Sequence, residues 1–275
     1  MGDIKLAGAA WSFVGASLAE SAGILRALGI QAMDLLAAPG ALLDSHEIER
    51  DLAALARRVT EPGIELSNLI YTFGAGFVDR AVNSADKAIR TQNVESFKWV
   101  LEFCIAAGIP SVTILPGVDQ PGLSHQEALQ LSGEAMTELT AMGREARVLL
   151  VFEPHIHSIL ESPFETLAFL QQNPTLKMAL DYSHFVAQGY KPADVDPLVP
   201  YTGHVHLRQG AHKQLQARWD EGEIDFARVI GLLKQAGYKG YVTLEYEHDT
   251  SWMDMDKVDV MTETIKMRDL VKPLL

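Results

Sequence analysis

Cysteine is almost absent from this sequence, because Cys104 is the only one among 275 residues. A single thiol cannot form an intrachain disulfide, so no such cross-link can hold the fold together. The apolar neighbours of Cys104 in WVLEFCIAAG indicate a buried helix position, and nothing in that stretch would activate the thiol as a nucleophile. We therefore expect Cys104 to be structural.

Basic residues and long apolar runs are also scarce. The chain has 23 Lys and Arg against 36 Asp and Glu, a formal net charge of −13, with no basic stripe that could attract a phosphate backbone. No run approaches the roughly 18 apolar residues of a membrane span, and MGDIKLAGAAWSF lacks the basic region that opens a signal peptide. These absences predict a cytoplasmic protein that binds neither nucleic acid nor membrane.

The chain does contain regular alternation of strand and helix patterns. Its 48% hydrophobic and 21% charged residues are ordinary for a globular protein, and its length suits one (β/α)8 barrel, which needs roughly 250 residues. Apolar strand patterns occupy residues 5–10, 30–36, 65–71, 111–115, 148–153, 176–181, 204–207 and 241–245. Helical patterns occupy residues 17–28, 46–60, 86–107, 125–144, 164–172, 225–236 and 256–275. The sequence therefore predicts a single TIM-barrel domain over residues 1–275.

Four side chains that can bind metal close the last four strand patterns. They are Glu153 in VLLVFEPHIH, Asp181 in LKMALDYSHF, His206 in TGHVHLRQG and Glu245 in GYVTLEYEHD. Parallel barrels present their chemistry at the carboxyl ends of the strands. Three carboxylates and one imidazole form a mixed oxygen and nitrogen set that suits Mn, Mg, Co or Zn.

Each of these positions has a structural alternative. Glu153 could cap the turn that follows it, and Asp181 could cap a helix beginning at Tyr182. His204 lies two residues from His206 and points to the same side of the strand, but one step deeper. We expect a barrel-interior histidine satisfied by a hydrogen bond at that depth.

Other polar and aromatic side chains lie near the predicted rim. Glu247 competes with Glu245 as the ligand, and Glu245 is preferred because it ends the strand directly. His155 is the strongest candidate for a separate acid or base, since histidine titrates near neutral pH. His157 has no assigned role.

The aromatic candidates also lie near the predicted rim. They are Trp11, Phe13 and Tyr71 for an apolar wall at the substrate, and Trp219 and Trp252 for a cover over the site.

The strand ends FEPH, LDYSHF, HVHLRQ with the downstream WDEGEIDF, and GYKGYVTLEYE resemble those of the xylose isomerase-like TIM barrels. The resemblance is to the sugar phosphate isomerase/epimerase branch, which includes the ketose 3-epimerases. It implies that Glu153, Asp181, His206 and Glu245 hold one divalent ion, with Mn preferred. It also implies that His184 and Arg208 contact a small carbohydrate substrate.

In the ketose 3-epimerases the first and last glutamates also act as acid and base, which implies that role for Glu153 and Glu245. The implied reaction removes the proton next to the carbonyl of a ketose, free or phosphorylated, and passes through a metal-bound enediolate. No glycine-rich loop opens a late helix, so phosphate recognition is unsupported. The histidines of the trinuclear zinc endonucleases in this superfamily are missing from LIYTFG and TILPGV.

The loop PHIHSILESP after Glu153 does not match the epimerases and leaves the substrate open. Two alternatives to an epimerase therefore stand. One is a lyase or dehydratase that enolises a keto-sugar or keto-glycoside and expels a β substituent, with His155 as base. The other is a non-catalytic barrel that binds a sugar or a partner, and a homo-oligomer is compatible with each.

Overall fold

A closed barrel of parallel strands forms the centre of the molecule. The computed structural model describes residues 4–248 and 257–275. Its strands are β1 (Lys5–Ala9), β2 (Ala32–Ala38), β3 (Leu43–Asp44), β4 (Glu65–Tyr71), β5 (Ser111–Ile114), β6 (Leu149–Phe152), β7 (Met178–Leu180), β8 (Thr202–Leu207) and β9 (Tyr241–Leu244). Neighbours pair in parallel in the order β1-β9-β8-β7-β6-β5-β4-β2, and β1 pairs with β2 to close the ring. The two-residue β3 extends β2 outside the ring. The predicted (β/α)8 fold is confirmed.

Helices surround the ring and separate successive strands. They are α1 (Leu18–Ala27), α2 (Ser45–Arg50), α3 (Leu52–Thr60), α4 (Lys87–Ala107), α5 (His125–Ala146), α6 (Pro163–Gln172), α7 (Tyr182–Ala187), α8 (Pro192–Val195), α9 (Phe226–Gln235) and α10 (Val260–Val271). Short 3-10 helices span Ala10–Ser12, Asp196–Tyr201, Trp219–Glu221 and Lys272–Leu274. None of the helices within the described ranges is both long enough and apolar enough to cross a membrane.

Local sequence explains where several helices begin and end. Ser17 and Ser124 form capping boxes with Glu20 and Glu127, which satisfy the free amides at the starts of α1 and α5. Gly108 ends α4 in the left-handed region at φ 71°, where a side chain would be strained. These signals stand in the sequence itself, so the predicted bounds of these helices are close to those observed.

Two predicted segments differ from the structure. The helix expected over residues 46–60 is two helices, because Asp51 leaves the helical region at φ −153° and its carboxylate accepts from the amide of Ala54 to start α3. The connection after β7 holds α7, α8 and a 3-10 helix that the sequence pattern did not reveal. Five of the six residues of α7 are buried, so that helix has no polar face and no visible helical period.

The inside of the barrel is polar, whereas the layer between strands and helices is apolar. Asp34 on β2 lies 2.7 Å from His204 on β8, two strands that are not neighbours, so both side chains point into the barrel. Asn68 on β4 donates to Thr113 on β5 at 2.9 Å in the same interior. Buried leucine, valine and phenylalanine side chains fill the outer layer. The buried ionisable side chains of the strands therefore lie along the barrel axis and at its mouth.

Candidate active site

Glu153, His206 and Glu245 meet at the carboxyl ends of the strands. Glu153 directly follows β6, Glu245 directly follows β9, and His206 lies within β8. The amide of Glu153 donates to Ile114 at 3.0 Å and that of Glu245 to Leu207 at 3.0 Å, so strand pairing continues up to both carboxylates. The backbone at both glutamates is thus as fixed as the sheet itself.

The three side chains form a compact buried group. His206 Nδ1 lies 2.7 Å from Glu153 Oε1 and 3.6 Å from Glu245 Oε2. One ligand atom from each residue lies within 4.8 Å of the other two, and all three residues are buried. The structure therefore brings together three of the four side chains that the sequence analysis selected as metal ligands.

Burial and neighbouring charges shift the pKa values of Glu153, His206 and Glu245 in different directions. Burial alone would raise the pKa of Glu153, but the adjacent imidazole of His206 outweighs it and lowers that pKa to about 2. Burial dominates at Glu245 and raises its pKa to about 8. Burial lowers the pKa of His206, but the carboxylates of Glu245 and Glu153 outweigh this and raise it well above its usual value.

Asp181, the fourth expected ligand, lies in the same buried region but has other partners. Its Oδ1 accepts from the amide of Ser183 at 2.8 Å, which is the helix-capping bond considered as the alternative from sequence. Its Oδ2 accepts from Arg208 Nη2 at 3.0 Å. Asp181 thus starts α7 and pairs with Arg208, and it is not one of the three side chains that converge on His206 Nδ1.

Arg208 connects the acidic side chains of the site. Besides Asp181, its guanidinium donates to Glu247 at 3.0 Å and to Ser183 Oγ at 3.0 Å, and it lies 3.8 Å from Glu245. Only 2% of Arg208 is exposed. Glu247, which sequence reasoning left without a role, is therefore a partner of this buried cation.

His184 and His155 lie side by side next to Glu153. Their ring centroids lie 3.8 Å apart, and Arg208 Nη2 approaches His184 Nε2 at 3.1 Å. Burial lowers the pKa of His155 to about 4 and that of His184 well below its usual value, so both are neutral at pH 7. His155 Nδ1 donates to the carbonyl of Ile156 at 2.6 Å, which fixes its ring. His157 is exposed and lies outside this group.

The aromatic candidates are separated by the structure. The Trp11 ring meets the His206 ring edge-on at 6.4 Å and lies with Phe13 on a cavity of about 490 Å³. Tyr71 instead packs against Phe73 at 5.1 Å, and burial raises its pKa to about 12. Trp11 is thus placed beside the site, whereas Tyr71 faces other neighbours. Trp219 stacks on Phe226, and Trp252 lies outside the described residues.

Asp34 is a buried residue near the site that the sequence analysis missed. It lies inside β2, and its Oδ2 is 2.7 Å from His204 Nε2 and 3.4 Å from His206 Nε2. His204 thus has the interior hydrogen bond that was expected of it. The signal for Asp34 was available, because it is the one ionisable residue in the apolar strand AMDLLAA.

The buried side chains fit a divalent cation. Four buried carboxylates lie in this region with Arg208 and His206 as their charged partners. Within the described part of the chain, His206 Nε2 and Glu245 Oε2 are buried without a hydrogen-bond partner. Clustered carboxyl groups, unsatisfied buried atoms and mixed oxygen and nitrogen donors are the features of a site that binds Mn or Zn. The four carboxylates are those of Asp34, Glu153, Asp181 and Glu245.

Fold and site together define a parallel (β/α)8 barrel with ionisable groups clustered at the carboxyl ends of its strands. Residues 23–269 match the model of the xylose isomerase-like TIM barrel family, and the chain belongs to that family.

Similar proteins include several sugar epimerases. The L-ribulose-5-phosphate 3-epimerase UlaE of Shigella boydii is 25% identical over 229 residues, which are 80% of this chain and 75% of that protein. The crystal structure of D-allulose 3-epimerase from Methylomonas sp. in complex with D-allulose covers 100% of this chain and 98% of its own, with a TM-score of 0.75 and 20% identity. The structure of the IOLI protein with a binding zinc atom covers 99% of both chains, with a TM-score of 0.73 and 16% identity.

Replacing Arg208 tests the charge balance of the site. Arg208→Met leaves Asp181 and Glu247 buried without their cation, so we expect the free energy of unfolding in chelator to fall by about 3 to 5 kcal/mol. Arg218→Met is the matched control, since Arg218 is 59% exposed and lies 3.8 Å from Glu221. That change should stay within about 0.5 kcal/mol in the same denaturant titration. Equal effects of the two substitutions would contradict the balance described.

Proposed function

We propose that this chain is a divalent-metal-dependent isomerase or epimerase that acts on a ketose next to its carbonyl. The observation that carries the proposal is that Glu153 and Glu245 both approach His206 Nδ1, at 2.7 and 3.6 Å. The sugar epimerases among its relatives support an isomerase or epimerase activity and a ketose as the substrate class.

Glu153, Asp181, His206 and Glu245 would hold the ion. The unsatisfied Glu245 Oε2 and the shared position of Glu153 and Glu245 around His206 support three of these ligands. Asp181 would join them by exchanging its bond with Arg208, which has Glu247 as a second acidic partner. Bound there, a divalent cation supplies a Lewis acid for the substrate carbonyl.

The chain's own groups would move the proton and orient the sugar. One of Glu153 and Glu245 removes the proton next to the carbonyl, and the other returns a proton to the opposite face, which inverts that carbon. Arg208 and His184 offer a buried donor and a neutral imidazole to substrate oxygens. Trp11 offers an apolar face beside them, and the surrounding helices exclude bulk water.

His155 favours a second candidate function for this chain. This imidazole is buried and neutral next to His184, and one of its nitrogens lies within 4.8 Å of a Glu153 oxygen. A base in that position could take the proton from a keto-sugar or keto-glycoside, after which the electrons leave through a β substituent. The chain would then be a carbon–oxygen lyase that uses the same first step.

Metal content tests the ligand set. Dialysis against Mn or Co followed by elemental analysis should give about one equivalent per chain, and His206→Ala and Asp181→Asn should each lower the affinity by more than the roughly 10 to 100-fold of an outer-shell change. His125→Ala is the control, because His125 also lies between two carboxylates, Asp119 and Glu165, but on the exposed surface. Unchanged metal content in both site variants would contradict the proposed ligands.

Glutamine substitutions test the roles of the glutamates. Glu153→Gln and Glu245→Gln keep the size and an oxygen donor but remove the base, so turnover should fall by about 10² to 10⁴-fold. Glu247→Gln should retain more activity, because Glu247 contacts Arg208 and not His206. Steady-state rates, with metal occupancy measured in parallel, separate loss of the base from loss of the metal. Near-normal turnover of Glu245→Gln with a severe loss in Glu247→Gln would reverse the assignment of that pair.

Product analysis in heavy water separates the two functions. With a panel of free and phosphorylated ketoses, an epimerase should yield an intact epimer labelled with deuterium next to the carbonyl. With keto-glycosides, a lyase should release an aglycone. His155→Ala should leave an epimerase substantially active but slow a lyase by roughly 10² or more. Mass spectrometry of the products reports both results, and an unlabelled, unchanged substrate in every case would contradict both functions.

A further inference from the structure

The carboxylate of Asp34 lies on the opposite side of the His206 ring from the glutamates. Asp34 Oδ2 is 3.4 Å from His206 Nε2, a buried nitrogen with no hydrogen-bond partner among the described residues, whereas Glu153 and Glu245 face His206 Nδ1. Asp34 is on β2, across the barrel from β8, and it is fully buried. The imidazole of His206 is therefore enclosed by carboxylates at both ring nitrogens.

Asp34 is itself held firmly in place. Its Oδ2 is 2.7 Å from His204 Nε2, and its Oδ1 accepts a short hydrogen bond from Ser67 on β4. Contacts with these two side chains, from two other strands, fix the Asp34 carboxylate inside the barrel.

This arrangement constrains the hydrogen on His206. A histidine that binds a cation through Nδ1 carries its proton on Nε2, which is the nitrogen that Asp34 Oδ2 faces at 3.4 Å. A neutral imidazole with its proton on Nε2 has its lone pair on Nδ1, the nitrogen that faces Glu153 and Glu245. Ring orientation and tautomer are both matched to a ligand role for Nδ1.

We propose that Asp34 is the positioning residue of the metal site, acting through His206 by accepting from Nε2 so that Nδ1 points at the ion. The inference rests on the proposed function only in assuming that His206 binds a divalent cation. Asp34 does not contact the substrate.

The same atoms could instead form a second metal site. Asp34, His204 and His206 offer ligand atoms within 4.8 Å of one another. The contacts favour positioning, because the Asp34 oxygen is already hydrogen-bonded to His204 at 2.7 Å and Ser67 occupies the other oxygen. Stoichiometry distinguishes the two, since positioning requires one equivalent of metal and a second site requires two.

Asp34→Asn tests the proposal with binding of Mn and Co as the readout. The substitution keeps the shape but removes the charge, and calorimetric titration of the full chain should show affinity weakened by about 10 to 100-fold with one equivalent still bound. Thr243→Val is the matched control. Thr243 Oγ1 lies 3.2 Å from His204 Nε2 in the same buried layer, but its partner is His204 and not Asp34. Its affinity should stay within about 3-fold of the unchanged protein, as expected for a change outside the shell of the ligand.

A measurement on the unchanged protein covers the case in which Asp34→Asn does not fold. Long-range ¹H–¹⁵N spectra of the zinc-loaded chain should show His206 bound through Nδ1 with a proton on Nε2. Coordination through Nε2, two equivalents of metal, or normal affinity in folded Asp34→Asn would overturn the proposal. These readouts do not depend on turnover, so a chain that binds metal as expected but acts on no ketose would contradict the proposed function and leave the role of Asp34 standing.

Discussion

Glu153, Asp181 and Glu245 are buried at the mouth of this barrel with Asp34 beneath them, and the need to compensate these four acidic groups organises the rest of the site. An uncompensated buried charge is costly, so each acidic group must find a cation, a hydrogen-bond donor or a metal. Arg208 serves Asp181 and Glu247, and His206 serves Glu153. Glu245 is left with an unsatisfied oxygen, which is the strongest physical reason to expect a cation there.

The barrel makes this concentration of charge possible because its strands are parallel. All the strand ends that carry acidic groups lie on one rim of the barrel. The apolar layer between strands and helices stabilises the fold and offsets the cost of burying charge at the site. The polar interior of the barrel continues the site from the mouth toward the centre of the barrel. Asp34, His204 and Ser67 form a hydrogen-bonded support beneath His206, so that the ring in the mouth rests on groups fixed by three separate strands.

Arg208 contacts both acidic and neutral side chains of the site. Its guanidinium contacts Asp181, Glu247, His184 and Ser183, so it stabilises the acidic cluster and also lies against a neutral imidazole. A buried, permanently charged donor is well suited to a substrate oxygen next to a carbonyl. The neutral histidines His184 and His155 lie beside it, and this mixture of one cation and two neutral imidazoles is compatible with proton abstraction from a sugar or with elimination.

The sequence by itself determined the barrel and the ionisable side chains at the ends of its strands. Strand patterns ending in Glu153, Asp181 and Glu245 identified the rim, because an ionisable group after an apolar run has few structural explanations, and spacing placed His204 and His206 on one side of β8. Only the tertiary structure decided which side chains touch. It turned Tyr71 toward other neighbours, paired Asp181 with Arg208 and brought Asp34 beneath His206. The last two contacts join residues 27 and 172 positions apart, so they depend on barrel closure and register, which no local pattern encodes.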